Sequence, residues 1–381
     1  MSVTHPAGFT AAATTAGLKS SGGLDLAIVH NLGPDQSAAA VFTSNRAKAN
    51  PIIWSQQAVS DGIVSAIVLN SGGANCYTGS AGFQVTHATA EAVAERLGVS
   101  ATDVLVCSTG LIGQQLPLEP IVAAIRGAEL SAESGADAAR AIMTTDSRPK
   151  TAIVERDGWS IGGMAKGAGM LAPGLATMLV VLTTDAVVDS VTLDSALRSS
   201  TRVTFDRLDS DGCMSTNDQV TLLASGASGV APTADEFTAA VTELCLDLAL
   251  QLQGDAEGSS HDITIETIGA ASVEDAVEVG RSIARNNLFK AAVFGNDPNW
   301  GRVLAAVGTT AAEFDPYAID VAINGVFVCR SGEPGESRDL VDLAPRAVHV
   351  LVDLKSGEHT ATVWTNDLTH DYVHENSAYS S

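Results

Sequence analysis

A chain of 381 residues is too long for one ordinary hydrophobic core and calls for two lobes. With 45% hydrophobic and 17% charged residues it is not a disordered composition, and no run reaches the ~18 apolar residues of a membrane span. A formal net charge of -23, from 21 Lys and Arg against 44 Asp and Glu, repels a phosphate backbone and makes nucleic acid a poor partner.

Met1 to Ala16 lacks the basic start and apolar stretch of a targeting segment, so a cytoplasmic protein is expected. Strand patterns follow at Leu24–Val29, Ala39–Thr43, Ile63–Leu69 and Val104–Cys107, with helix patterns at Val85–Leu97, Ile121–Arg126 and Ala136–Met143. Met178–Thr183 and Val220–Ala224 read as further strands. The clearest helix is Ala234–Leu252, opened by a Thr233/Glu236 capping box and lined on one face by Phe237, Val241, Leu244 and Leu248. A strand at Ile263–Ile268, a helix at Val273–Ala284 and strands at Ile319–Val321, His349–Leu354 and Ala361–Trp364 complete the series. The interleaving is irregular, which favours α+β or layered sheets over a doubly wound sheet. Ser225–Thr233, rich in Gly, Ala, Ser and Pro, is the expected joint, dividing the chain into 1–228 and 229–381. Five cysteines without C-x-x-C spacing read as free thiols. His370 and His374 have helical spacing but no third ligand in view, so no metal is expected.

The most informative stretch is Lys166-Gly-Ala-Gly-Met-Leu-Ala-Pro-Gly-Leu-Ala176-Thr177, which runs straight into the apolar Met178–Leu182. Threonine starts strands well, and glycine loops often precede them, so an ordinary loop is one reading. The other is a self-cleaving chain. The Thr177 hydroxyl attacks the Ala176 carbonyl, an N→O shift gives an ester, and hydrolysis frees Thr177 as a new N-terminus. One residue then holds a hydroxyl nucleophile and an α-amine base whose ordinary pKa is about 7.7–8.

Several segments in order resemble the ornithine acetyltransferase family, the bifunctional glutamate N-acetyltransferases of arginine biosynthesis. They are Asn70-Ser-Gly-Gly-Ala-Asn75, Cys107-Ser-Thr-Gly-Leu-Ile-Gly113, Ala141-Ile-Met-Thr-Thr-Asp146, Lys166 to Leu179, Thr204-Phe-Asp206 through Ser215-Thr-Asn-Asp218, Asp255-Ala-Glu-Gly258, Phe294 to Arg302 and Glu375 to Ser381. The resemblance implies a layered α/β/β/α sandwich with a smaller C-terminal α/β lobe, and a cut giving an α chain 1–176 and a β chain 177–381 that assemble as (αβ)₂. It implies Thr177 as nucleophile, with the cut after Ala176, and Thr109 and Gly110 as the oxyanion hole. Thr144, Lys166, Thr177, Glu257, Asn376 and Ser381 become substrate contacts, the tail from about 370 to 381 folding back over the site. N-acetylornithine and glutamate are the implied substrates, acetyl-CoA a second donor if the protein is bifunctional, and no cofactor is required.

Two departures from the family pattern bear on acceptor preference. Ser259-Ser260-His261 stands where the family usually runs through Thr-Lys, and Gly212-Cys213-Met214-Ser215 carries a bulky Met. Asn299-Trp-Gly-Arg302 reads as a structural anchor, and Asp206, Asp209 and Asp211 as a solvated loop rather than a cation site. An N-terminal-nucleophile amidase or aminopeptidase, a sister acyltransferase of secondary metabolism and an uncut amino-acid-binding protein are the alternatives.

Overall fold

The computed structural model describes residues 2–172 and 178–378, and these form two compact units. The first unit comprises Met1–Ala168, Gly174–Asp206 and Met214–Leu252. Its strands are β1 (Phe9–Thr14), β2 (Leu26–Asn31), β3 (Ser37–Phe42), β4 (Ala66–Ser71), β5 (Val104–Thr109), β6 (Lys150–Arg156), β7 (Trp159–Lys166), β8 (Leu179–Thr184) and β9 (Gln219–Ala224). Its helices are α1 (Asn50–Ala58), α2 (Gly79–Leu97), α3 (Leu118–Gly127), α4 (Gly135–Ala141), α5 (Ser190–Val203) and α6 (Ala234–Gln253), whose last residue alone falls in the second unit.

Two sheets stack in this unit, one ordered β1-β2-β4-β5 and the other β3-β9-β8-β7-β6. Side-chain alternation decides what each face does. Val29, Ile67, Leu69, Leu105 and Cys107 face inward and meet Met164, Leu179, Val181 and Leu223 of the second sheet in one buried cluster. On the opposite face of the first sheet, Ile28, Val68 and Val106 pack with Val93 of α2 and Ile121 and Ile125 of α3. The second sheet is covered by α5, against β3, and by α6, whose Leu244 and Leu248 approach Gly163. The unit is therefore the expected α/β/β/α sandwich.

The Thr233/Glu236 capping box forms as the sequence predicts. Thr233 N–H donates to Glu236 Oε2 at 3.0 Å, and Glu236 N–H donates back to Thr233 Oγ1 at 3.3 Å. Phe237, Val241, Leu244 and Leu248 are all fully buried. Because α6 buries this face on the second sheet, the first unit runs past the sequence-based division at 228/229. Thr233→Ala is expected to cost about 1 kcal/mol, read as a lower denaturant midpoint at unchanged slope.

β1 and the β6–β7 hairpin carry weak sequence signals. β1 reads Phe-Thr-Ala-Ala-Ala-Thr, with little apolar contrast, and β7 contains Gly162 and Gly163. Gly162 has a steric reason: a Cβ there would lie 2.2 Å from the Ser2 carbonyl oxygen, so the N-terminal segment crosses here only over a bare backbone.

The second unit comprises Gly169–Pro173, Arg207–Cys213 and Gln253–Ser381. Its sheet is built from β10 (Asp262–Ala270), β11 (Asp320–Ile323), β12 (Val326–Arg330), β13 (Glu333–Pro334), β14 (Ala347–Asp353) and β15 (His359–Asn366), in the order β13-β12-β11-β14-β10-β15. The helices are α7 (Val273–Ala284), α8 (Asn287–Phe294), α9 (Trp300–Val307) and α10 (His370–Ala378). Ile263 and Ile265 of β10, Val350 and Val352 of β14 and Val363 of β15 point to one face and bury Ala276, Val279 and Ile283 of α7. Among the described residues no helix is long and apolar enough to cross a membrane.

Candidate active site

Within the first unit the site grows from the end of β5. Thr109 closes that strand, 4% exposed, and the Asn70–Asn75 segment braces the turn after it. Gly73 N–H donates to the Thr109 carbonyl at 2.9 Å and Ala74 N–H to the Leu111 carbonyl at 2.9 Å. Ser108 Oγ donates to Asn70 Oδ1 at 2.5 Å, and Asn217 Nδ2 donates to the carbonyls of Ala74 and Ser108 at 2.6 and 2.8 Å. Gly110 sits at φ +129°, and a Cβ there would lie 2.5 Å from Gly73 N. Only glycine fits. Gly110→Ala is expected to displace the turn and cost at least about tenfold in kcat, with the chain still folded by circular dichroism.

Lys166 ends β7 opposite Leu179 of β8, so register alone places it beside the chain just after Thr177. It is 2% exposed, and its Nζ donates to Thr109 Oγ1 at 3.1 Å. The Thr109 hydroxyl therefore accepts from a cation and keeps its own hydrogen to give. Asp146 is the neighbouring counter-charge. Its Oδ1 accepts from Lys150 Nζ at 2.5 Å and from Gly167 N–H at 2.7 Å, and its Oδ2 from Thr144 N–H at 2.9 Å. Burial works to raise its pKa, but the Lys166 and Lys150 charges and these hydrogen bonds prevail and hold it below the ordinary carboxylate range.

A second buried carboxyl behaves oppositely. Asp218, fully buried, accepts from Met178 N–H at 3.1 Å through Oδ1. Burial pushes its pKa well above the ordinary value, and the Ser215 hydroxyl, Met178 N–H, Lys166 charge and Thr43 hydroxyl offset only part of that. Sequence reading missed Asp146, Lys150 and Asp218 as site residues. Asp146 and Asp218 close two of the segments that carry the family resemblance, which was the available signal.

Thr109, Gly110, Thr144 and Lys166 thus share one unit and one hydrogen-bonded neighbourhood. Ala176, Thr177 and Ser381 lie outside the described residues.

Glu257 and Asn376 belong to the second unit, where Asn376 Nδ2 donates to Glu257 Oε2 at 3.0 Å. Gly169 is bare for Glu257: a Cβ there would stand 2.6 Å from the carboxylate. A small cleft is lined by Glu257 with Asp211, Lys290, Asp367 and Tyr372. Lys290 is 6% exposed and donates to the Ser210 carbonyl; burial lowers its pKa, with Asp211, Asp209 and Asp367 pulling the other way. The Tyr372 hydroxyl is pushed up to about 12, first by burial and then by the Asp211 and Glu257 charges. Carboxylates with one cation suit an amino acid that carries a spare ammonium group.

The Ser260-His261 departure is held by hydrogen bonds. His261 Nδ1 lies 2.7 Å from Asp367 Oδ2 and its Nε2 2.9 Å from the Leu343 carbonyl, so each ring nitrogen faces an oxygen. In the other departure, Ser44 Oγ donates to Met214 Sδ at 3.3 Å. Asn299 caps α9 through Arg302 N–H at 3.3 Å and Trp300 packs on the core, so this segment is an anchor as the sequence suggests. Asp209 pairs with Arg285 at 2.6 Å and Asp211 accepts from Cys213 N–H at 3.0 Å. The His370 ring stands edge-on to Phe294, 5.4 Å between centroids.

The profile of the ArgJ family matches residues 10–381. The chain is 62% identical to the "Arginine biosynthesis bifunctional protein ArgJ" of Streptomyces coelicolor over 383 residues, covering 100% of both. Its counterpart in Thermobifida fusca is 60% identical, again over 100% of both chains. Among solved structures, the arginine biosynthesis bifunctional protein argJ of Bacillus halodurans matches with a TM-score of 0.50 and 36% identity, over 52% of this chain and 97% of that one. By match and identity over its whole length, this chain belongs to the ArgJ family of arginine biosynthesis.

Proposed function

We propose that the chain cuts itself between Ala176 and Thr177 and then carries an acetyl group from N-acetylornithine to glutamate on Thr177. The observation that carries this reading is the buried Lys166–Thr109 hydrogen bond, held at the ends of β7 and β5. It sets a polarised hydroxyl and a cation beside the strand that Thr177 leads into. The solved Bacillus halodurans chain supports the cut: 97% of it is matched by only 52% of this chain, so it is about half as long.

In the self-cleavage, Thr177 Oγ attacks the Ala176 carbonyl and the departing Thr177 nitrogen takes the hydroxyl proton. Water then hydrolyses the ester and leaves a free α-amine. In the transfer, that amine takes the proton as Oγ attacks the acetamide carbon. The Thr109 hydroxyl and Gly110 N–H receive the oxyanion, a contribution worth roughly 3–4 kcal/mol per donor. Collapse returns the proton to the leaving ornithine amine. Glutamate enters, its amine attacks the acetyl ester, and acetylglutamate leaves.

Lys166 holds the substrate carboxylate, Glu257 the side-chain ammonium, and Thr144, Asn376 and Ser381 complete the binding set. The α and β chains assemble as (αβ)₂ in the cytoplasm, and acetyl-CoA serves as the second donor of a bifunctional enzyme. N-terminal sequencing of the purified protein, with an assay for acetylglutamate from N-acetylornithine or acetyl-CoA, tests this directly. A Thr177 N-terminus with acetylglutamate formed is expected; release of free acetate without acetylglutamate would make the protein an amidase instead.

A further inference from the structure

We infer that Lys19 is a specificity-determining residue for the acceptor, its ammonium receiving the side-chain carboxylate of glutamate while Lys166 holds the α-carboxylate. This rests on the reading of the chain as a transferase with Lys166 as the carboxylate partner. The need comes from the substrates. N-acetylornithine and glutamate share an α-carboxylate, but their side chains end in opposite charges. A Glu257 that holds an ammonium repels the second carboxylate of glutamate. An enzyme that takes both must offer the acceptor a cation that the donor does not use.

Lys19 is placed to be that cation. It stands half-buried in the turn between β1 and β2. Its Nζ donates to the Leu24 carbonyl at 2.8 Å and to the Ala141 carbonyl at 3.3 Å. Ser71 Oγ donates to the same Ala141 carbonyl at 2.6 Å, and Ser71 is in register with Thr109 on the neighbouring strand. Paired strands run about 4.8 Å apart, so a short path leads from Lys19 to Thr109 and on to Lys166 Nζ, 3.1 Å from the Thr109 hydroxyl. Ala141 also opens the segment that carries Thr144 and Asp146. Leu18 fixes the turn from beneath: a Cβ on Gly72, at φ +109°, would lie 2.7 Å from the Leu18 carbonyl oxygen. The turn with Lys19 therefore rests directly on the segment that braces Thr109.

The ammonium has no acid of its own. Asp25, close in sequence, spends its oxygens on the backbone N–H groups of Ala16, Leu18 and Lys19 at 2.5, 2.6 and 3.3 Å. Asp146 is taken by Lys150 and by the N–H groups of Thr144 and Gly167. Both hydrogen-bond partners of Lys19 Nζ among the described residues are neutral carbonyls, and an ammonium has three hydrogens to give. One remains for a ligand. Burial lowers the Lys19 pKa, with Asp25 and Asp146 raising it and Lys166 lowering it, so Lys19 shares the field of the Asp146–Lys166 pair. A substrate with a carboxylate for each of the two ammoniums relieves their repulsion.

Wild type is assayed first: a protein that forms no acetylglutamate ends the transferase reading whatever Lys19 does. In the active enzyme, glutamine, which keeps the shape of glutamate and loses its side-chain charge, is expected to be about tenfold or more poorer as acceptor. In a ping-pong transfer kcat/KM for N-acetylornithine reports the first half-reaction and kcat/KM for glutamate the second. Lys19→Met keeps the apolar stem and loses the ammonium. It is expected to lower kcat/KM for glutamate about tenfold or more, through KM, and that for N-acetylornithine less than about threefold. Two results overturn the proposal: wild type that uses glutamine as well as glutamate, or a Lys19→Met enzyme whose two kcat/KM values fall together or not at all, as for a strut or a bystander. Should the Met variant not fold, the glutamine comparison decides alone.

Discussion

Thr177→Ala is expected to leave one uncut polypeptide of 39.0 kDa with no acetyl transfer, the largest single effect any substitution should have. The methyl side chain has no oxygen to attack the Ala176 carbonyl, so neither the ester nor the free amine can form. The variant loses nucleophile and base together, and in nucleophilic enzymes loss of a member of the reacting set leaves only the roughly 10³–10⁴-fold residue supplied by binding and the oxyanion hole. Denaturing electrophoresis and intact mass read the cut, and acetylglutamate formation reads the chemistry. A Thr177→Ala protein that still splits and still transfers acetyl groups would place the nucleophile elsewhere. Thr177→Ser is the companion: it keeps a hydroxyl and should still cut, more slowly.

The second large effect is expected at Lys166→Met. The replacement preserves most of the buried volume but removes the donor to Thr109 Oγ1 at 3.1 Å. Fold and turn should survive, because Asp146 keeps Lys150 at 2.5 Å and the N–H groups of Thr144 and Gly167. Transfer should fall about 10²–10³-fold, the usual scale for a disturbed oxyanion site, with KM for N-acetylornithine raised if its carboxylate binds Lys166 as proposed.

A stability signature accompanies that loss. The pKa of Asp146 is held low in the folded chain, with Lys166 the largest of the influences that lower it. A carboxyl with a depressed folded pKa contributes stability above its unfolded value of about 3.9 and loses it as pH falls through the folded value. Lys166→Met should therefore be most destabilised relative to wild type near neutral pH, and the gap should close below about pH 4. Asp218 has the opposite sign. Its folded pKa is raised, so its contribution is present below the unfolded value and fades as pH climbs towards the folded one. Melting curves of wild type, Lys166→Met and Asp218→Asn across pH separate the two acids. A gap for Lys166→Met that widens in acid would contradict the pairing with Asp146.

Much of the fold was legible because its elements obey simple periods. Val273–Ala284 forms the predicted helix end to end, and the Thr233/Glu236 box caps α6. Where contrast is low the sequence is mute. β1 is mostly alanine and threonine, and α5 begins at Ser190 with an Asp189 cap that the apolar pattern did not flag. The 228/229 joint was read from Gly, Ser and Pro composition, whereas α6 stays with the first unit because its Leu244 and Leu248 meet a sheet surface laid bare by Gly163.

The site divides along the same line. Sequence by itself pointed to the residue types proposed to react and to their order: a threonine after a glycine-rich loop, a Thr-Gly turn at a strand end, one lysine before the loop and a glutamate far downstream. These are local facts, since spacing and residue chemistry need no partner to be read. Tertiary structure alone decided which groups share charge. Asp146 and Asp218 are 72 positions apart in the chain (218 less 146), yet both feel Lys166, and burial sends one down and the other up. Proton affinity in an interior depends on solvent exclusion and on which cation is already taken, and both are set only when the sheets close over the strand ends.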